Sequence, residues 1–294
     1  MPAELIDGRA IAKKVRDGAA ARAKKLAEKG IKPGLVVVLV GDDPASVVYT
    51  SAKARAAEEA GMFSLNVRLP VDTPESELIT RVDELNSNPN VHGILVQMPL
   101  PKQIDPEAII RRIDPEKDVD GFHPVNVGKM LVGDRDGFIP CTPAGIQVLL
   151  QESGVRTPGK ECVVIGRSNI VGKPMAALMM QDNDNANCTV TVCHRHTEDL
   201  RSQTRRADIL VVAAGRPRMV TGDMVKPGAV VIDVGTNRIN DPQAKNGTRL
   251  VGDVDFDSVR EIASKITPVP GGVGPMTIAM LMVNTVRAAE MTLR

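Results

Sequence analysis

The chain has 294 residues, 43% hydrophobic and 25% charged, with a formal net charge of +1; at about 150 residues per domain this is two domains, each long enough to bury a core. The balance of 37 Lys and Arg against 36 Asp and Glu leaves no basic excess for nucleic acid or an anionic membrane, and four Phe, one Tyr and no Trp exclude a base-stacking platform. The longest unbroken aliphatic run, 35–40, is far short of the ~20 residues that span a bilayer, and Glu4, Asp7 and Arg9 leave no apolar stretch for a secretory signal.

In chain order, 7–29 is predicted as a helix rich in Ala, Lys and Arg, with Asp7 as N-cap and Gly30 as its stop. Strands at 35–40, 64–69 and 91–96 alternate with helices at 45–60 and 74–85, which predicts a parallel sheet. Tyr49 and Lys53 are four residues apart on the first of these helices, so they share a face about 5–6 Å apart at Cβ; spacing alone fits a solvated lysine better than a site. Gln97 follows the third strand, before Met98-Pro99-Leu100-Pro101, where an amide is placed either to reach a cleft or merely to end a strand. The stretch 99–143 is dense in Pro, Gly and Asp and reads as a long irregular segment of the kind that is functional or a linker. It contains Asp118-Val119-Asp120-Gly121-Phe122-His123-Pro124, in which Asp120 is a turn-former or a ligand anchor and His123 a structural loop residue, and ends in a stiff connector, Pro140-Cys141-Thr142-Pro143.

The pattern then restarts, with strands at 162–165, 188–193, 209–213 and 230–233, helices at 173–180 and 199–205, a glycine-rich turn at 268–275 and a last apolar helix at 276–289. Gly166-Arg167-Ser168 to Gly172-Lys173-Pro174 is a strand-to-helix turn of the kind that receives phosphate. It is neither a P-loop, having five residues between its glycines and Pro after Lys173, nor a GxGxxG. An NAD site places an acid at the end of the second strand; here His194-Arg195-His196 stands there, and a cation favours the 2′-phosphate of NADP, with Arg167 as a second cation. Thr236, after the strand 230–233, lies where a nicotinamide or its ribose would be touched. The four cysteines form no CxxC, and Cys162, Cys188 and Cys193 lie in apolar runs, which reads as buried free thiols of a reducing cytosol, with no metal site.

Together these segments resemble one family, the bifunctional methylenetetrahydrofolate dehydrogenase/methenyltetrahydrofolate cyclohydrolases of one-carbon metabolism. The resemblance spans nearly the whole chain: Ser46-x-x-Tyr49-x-x-x-Lys53, Gln97-x-Pro99-Leu-Pro101, Asp118-Val-Asp120-Gly-Phe-His-Pro-x-Asn126-x-Gly128, Pro140-Cys-Thr-Pro143, Gly166-Arg-Ser168-x-x-Val-Gly172-x-Pro174 and Pro268-Val-Pro270-Gly-Gly-Val-Gly274-Pro-Met-Thr277. It implies a two-domain α/β fold: a folate-binding catalytic domain over 1–143, joined by the closing helix 276–294 packing back on it, and a Rossmann-type NADP domain over 144–275. It implies a cytoplasmic homodimer acting on tetrahydrofolate derivatives. Carried over by position, Lys53 is the catalytic lysine, Tyr49 stacks along the folate, Gln97 supports Lys53 and Asp120 binds the pterin edge; Met98, Pro270 and Gly271 add folate contacts. Gly166, Arg167, Ser168, Arg195 and Thr236 bind NADP. Two positions depart from the pattern, since some members carry Ser at 195 and a branched aliphatic is frequent at 236.

Lys53 as a base needs a pKa well below the ordinary lysine value near 10.4, which desolvation supplies. A dehydrogenase-only folate enzyme is one alternative. A short-chain-type reductase is another, but there the glycine turn precedes the Tyr-x-x-x-Lys. A non-enzymatic nucleotide sensor on the same fold would be expected to lack Lys53 or Asp120.

Overall fold

The computed structural model describes residues 1–244 and 247–293; Arg294, within the predicted closing segment 276–294, lies outside them. The chain divides into two compact units, Lys13–Cys141 with Ile278–Arg294, and Met1–Ala12 with Thr142–Thr277.

Strand β1 (Glu4–Leu5) and helix α1 (Gly8–Ala27) open the chain. Asp7 caps α1, its Oδ1 accepting from the Arg9 and Ala10 N–H groups at 2.9 and 3.1 Å. Strands β2 (Gly34–Val40), β3 (Phe63–Leu69) and β4 (Gly93–Val96) then alternate with α2 (Pro44–Glu59) and α3 (Glu75–Ser87). They form a parallel sheet of order β3-β2-β4. All seven residues of the central β2 are buried, as a parallel strand covered on both faces requires. The stretch 99–143, expected to be irregular, contains two helices, α4 (Pro106–Arg112) and α5 (Pro124–Leu131). At seven and eight residues neither is long enough to show a period. Each nonetheless starts on a cap followed by proline: the Asp105 Oδ1 accepts from the Glu107 N–H at 2.9 Å and the His123 Nδ1 from the Val125 N–H at 3.1 Å. His123 is thus a capping residue.

Helix α6 (Cys141–Glu152) begins within the expected connector at 140–143, and the boundary between units falls after Cys141. There follow β5 (Glu161–Ile165), α7 (Gly172–Met179), β6 (Thr189–Cys193), α8 (Leu200–Thr204), β7 (Ile209–Val212) and β8 (Val230–Asp233). An antiparallel ribbon, β9 (Asn237–Asn240) with β10 (Thr248–Val251), α9 (Phe256–Arg260) and β11 (Lys265–Ile266) complete this unit. Its six-stranded sheet runs β1-β11-β8-β7-β5-β6, with every pairing parallel. The order reverses at β5, flanked by β6 on one side and β7 on the other; ligands of such sheets sit off the strand ends at this switch point.

One domain boundary needs correction. Residues 1–12 belong to the second unit rather than to a domain over 1–143, because β1 pairs with β11, Glu4 with Lys265 and Leu5 with Ile266. A two-residue strand carries no period that a sequence could reveal.

The last helix, α10 (Val273–Met291), returns to the first unit from Ile278 onward. Its Leu281, Met282, Val286, Ala288 and Ala289 join Ala19, Ala23 and Leu26 of α1 and Leu35, Val37 and Leu95 on one face of the three-stranded sheet. Val36, Val38, Val40, Ile94 and Val96 point to the other face, against Leu78, Val82 and Leu85 of α3, the two-residue alternation of strand side chains. None of the described helices is long and apolar enough to cross a membrane.

Candidate active site

The first unit gathers its chemistry at the carboxyl ends of β2 and β4. After β2 the chain turns at Gly41 (φ +87°), and the Asp43 Oδ2 accepts from the Ser46 N–H at 2.8 Å to start α2. One helical turn separates Tyr49 from Lys53, whose residue is only 4% exposed. The Lys53 Nζ lies 4.8 Å from the Tyr49 ring centroid, a cation–π distance, and donates to the Gln97 Oε1 at 2.9 Å. Gln97 is held in turn: its backbone N–H donates to the Val38 carbonyl at 2.8 Å and its Nε2 to the Met98 carbonyl at 2.6 Å. The carboxamide oxygen can therefore only face the lysine. Spacing alone favoured a solvated Lys53; burial reverses that reading.

Electrostatics link this pair to two further groups. Burial pushes the Lys53 pKa down from the ordinary lysine value, opposed by the charge of Asp120. Burial likewise raises Asp120, partly offset by Lys53 and by a hydrogen bond from the Cys141 thiol. Cys141, driven far up by burial and then by Asp120, stays a thiol. Tyr49, Lys53, Gln97, Met98 and Asp120 thus fall in one unit, joined by Cys141, which in sequence shows only as part of the stiff Pro140-Cys141-Thr142-Pro143 connector.

The loop carrying Asp120 is built on its neighbour Asp118, a carboxylate 2% exposed. Asp118 accepts from the Phe122 N–H at 3.2 Å, the His123 N–H at 2.8 Å and the Asn126 Nδ2 at 2.8 Å. Burial raises its pKa to about 6 despite these bonds. Gly121 (φ +76°) must be glycine, since a Cβ there would stand 2.6 Å from the Pro140 nitrogen.

Pro270 and Gly271 belong to the second unit, after β11. That unit also holds the turn after β5. Gly166 has φ +118°, and a Cβ on it would meet the Ala213 carbonyl oxygen at 2.2 Å; one on Gly172 would meet the Gly166 oxygen at 2.2 Å. Only glycines let this turn close against the end of β7, which leaves room for a ligand's phosphates. The Ser168 Oγ accepts from the Val171 N–H at 3.1 Å. Arg167, Ser168, Arg195 and Thr236 are exposed, and the Arg195 Nε donates to the His196 Nε2 at 3.1 Å. The three residues directly after β6, His194, Arg195 and His196, bring a guanidinium and no acid to the strand's end, which fits a phosphorylated ribose.

Two buried acids that the sequence reading did not single out shape the neighbouring turns. Asp253 Oδ2 accepts from the Ala214 and Gly215 N–H groups at 2.7 and 2.8 Å. Asp233 accepts from Gly235, Asp253 and Val254 N–H groups at 2.9–3.0 Å, and burial lifts its pKa to about 6. An acid ending an apolar strand, as Asp233 does, was the signal available.

Residues 140–293 match the model of the tetrahydrofolate dehydrogenase/cyclohydrolase NAD(P)-binding domain, and residues 6–120 match that of the catalytic domain. The chain belongs to this family. A relative from Chlorobium phaeovibrioides, bifunctional protein FolD, is 56% identical over 290 residues, covering 98% of each chain. The crystal structure of the bifunctional FolD methylenetetrahydrofolate dehydrogenase/cyclohydrolase from Campylobacter jejuni is 47% identical with a TM-score of 0.93, covering 98% of this chain and 99% of that one. The Trypanosoma brucei enzyme, solved with NADP and an inhibitor, is 42% identical with a TM-score of 0.95, covering 100% and 99%. Most of the catalytic-domain match, residues 13–120, lies in the first unit, and most of the NAD(P)-binding match, residues 142–277, lies in the second.

Proposed function

We propose that this protein oxidises 5,10-methylenetetrahydrofolate to the 5,10-methenyl form with NADP+ and hydrolyses that to 10-formyltetrahydrofolate. The observation that carries the reading is a lysine deprived of solvent, hydrogen-bonded to Gln97 and stacked on Tyr49. NADP+, held by Gly166, Arg167, Ser168, Arg195 and Thr236, supplies the hydride acceptor. Oxidation leaves a cationic carbon between two nitrogens, which water attacks. Lys53, with its pKa lowered by burial, takes the proton from that water and passes one to the leaving ring nitrogen. Gln97 accepts from the Lys53 Nζ and so fixes where its lone pair points. Tyr49 offers a ring face to the folate, and Asp120 accepts from the N–H edge of the pterin.

One spectrophotometric run with methylenetetrahydrofolate and NADP+ tests both steps, following NADPH formation and methenyl decay together. NADPH should rise while the methenyl band falls. A methenyl band that accumulates and decays no faster than in buffer would leave a dehydrogenase only, and equal efficiency with NAD+ would overturn the 2′-phosphate reading.

The protein works as a cytoplasmic homodimer. Its four cysteines are all buried and free, as in a reducing compartment. β3 is an edge strand with Phe63 and Leu65 each 43% exposed, an edge a second copy can extend. Light scattering should give twice the chain mass; a monomer mass would sink the dimer.

A further inference from the structure

Helix α10 is apolar along the face it buries, yet that face carries one carboxamide, Asn284, only 5% exposed. The Asn284 Nδ2 lies 2.9 Å from the Val119 carbonyl oxygen, 3.2 Å from that of Ile139 and 3.6 Å from the Cys141 Sγ. These three acceptors belong to the two segments that frame Asp120. Val119 directly precedes it. The segment 139–141 runs alongside, so close that a Cβ on Gly121 would meet the Ile139 carbonyl carbon at 2.7 Å. The Cys141 thiol closes the ring, with its Sγ 3.3 Å from the Val119 oxygen and a hydrogen bond to the Asp120 carboxylate.

The amide is matched to this job. It has two hydrogens for two carbonyls and a sulfur. An aliphatic side chain of the same size would fill the space but strip the Ile139 carbonyl of this donor and leave the Val119 carbonyl only the Cys141 thiol. The single thiol proton of Cys141 has two acceptors in reach, the Val119 oxygen and the Asp120 carboxylate; because Asn284 also serves the Val119 oxygen, that proton can turn to Asp120.

We propose that Asn284 is a positioning residue of the folate site, tying Val119 to Cys141 so that the Asp120 carboxylate is aimed at the pterin. The inference rests on the reading of Asp120 given above. The charged and titratable groups facing Asp120 are Lys53 from α2, Cys141 at the start of α6 and Asp118 from its own loop. Asn284 acts on the carboxylate through the backbone and the thiol.

The test compares Asn284→Leu, Asp120→Asn and the double variant in the full-length protein, measuring KM for methylenetetrahydrofolate, KM for NADP+ and kcat. Losing one net hydrogen bond predicts that Asn284→Leu raises the folate KM by about five- to tenfold. The KM for NADP+ should stay within twofold and kcat should fall less than the folate KM rises. The double variant should be no worse than Asp120→Asn alone, because the aiming is lost once the carboxylate is gone. A folate KM unchanged in Asn284→Leu, or effects that multiply in the double variant, would overturn the inference while leaving the role of Asp120 intact. A folate KM unchanged in Asp120→Asn would instead overturn the reading on which it rests. If Asn284→Leu does not fold, Asn284→Ser, smaller and still polar but too short to reach the Val119 oxygen, is read by the same three constants.

Discussion

At the scale of single residues, the site depends on one ammonium group being made uncomfortable. A lysine in water is protonated near neutral pH and is a poor base. Around Lys53 the dominant influence is burial, which favours the neutral amine, while Asp120 pulls the other way. Gln97 takes no side in charge, since it offers only a carboxamide oxygen. The lysine therefore matters to the step that needs a proton moved and far less to hydride transfer, which needs positioning. Lys53→Met, similar in volume but unable to carry a proton, should reduce cyclohydrolase turnover by 10²-fold or more, the order assigned to a general base. Dehydrogenase activity should remain measurable. Both rates followed on one variant decide it: equal loss of the two, with folate binding intact, would refute separate roles.

At the scale of elements, most of the parallel strands were legible from pattern, short ones included: 209–213 and 230–233 match the observed Ile209–Val212 and Val230–Asp233, while the twelve-residue α6 went unread. The period of apolar residues placed β2, β3, α2 and α3 within two residues or so of their observed ends. The same reasoning passed over α4 and α5, although Asp105-Pro106 and His123-Pro124 are cap-and-proline starts. It also passed over the ribbon β9–β10, whose sequence Asn-Arg-Ile-Asn is mostly polar. Of the catalytic cluster, spacing put Tyr49 and Lys53 on one face, and position in the chain left Gln97 and Asp120 each with two readings; likeness to a family gave them their roles. Cys141, Asn284 and Asp253 act through contacts distant in sequence, which no local pattern records; Asp233 left one local mark, an acid ending an apolar strand. Asp233 allows a test of how such an acid holds an element end. Its folded pKa, about 6, lies above the unfolded carboxylate value of 3.8, so the folded state binds more protons between these values. Its contribution to stability is complete below pH 3.8 and is lost as pH rises through 6. Asp233→Asn has no such proton to lose. The stability difference between wild type and variant in urea unfolding should then be about 2 kcal/mol larger at pH 4.5 than at pH 8. The same difference at both pH values would show that Asp233 does not titrate there.

At the scale of the whole molecule, the chain enters each unit twice. It starts in the NAD(P)-binding unit, crosses within α1, returns after Cys141, and crosses back within α10. The catalytic unit is therefore completed by a segment that follows the whole NAD(P)-binding unit in sequence, from Ile278 onward. Leu281, Met282, Val286, Ala288 and Ala289 are each at most 4% exposed and pack on α1 and on β2. Burying one Leu, Met or Val side chain contributes about 1.5–3 kcal/mol, so these five together rival the whole net stability of a domain, about 5–15 kcal/mol. A chain ending at Thr277 should lose the folded catalytic unit. It would keep Met1–Ala12 and Thr142–Thr277, hence the complete six-stranded sheet and the Gly166 turn. The expected result is a protein with neither folate activity that still binds NADP+ in calorimetry, with an affinity within tenfold of the intact chain. Folate turnover surviving the truncation would show that α10 is dispensable to the catalytic core. Loss of NADP+ binding along with the activities would show that the second unit does not hold its fold without the first.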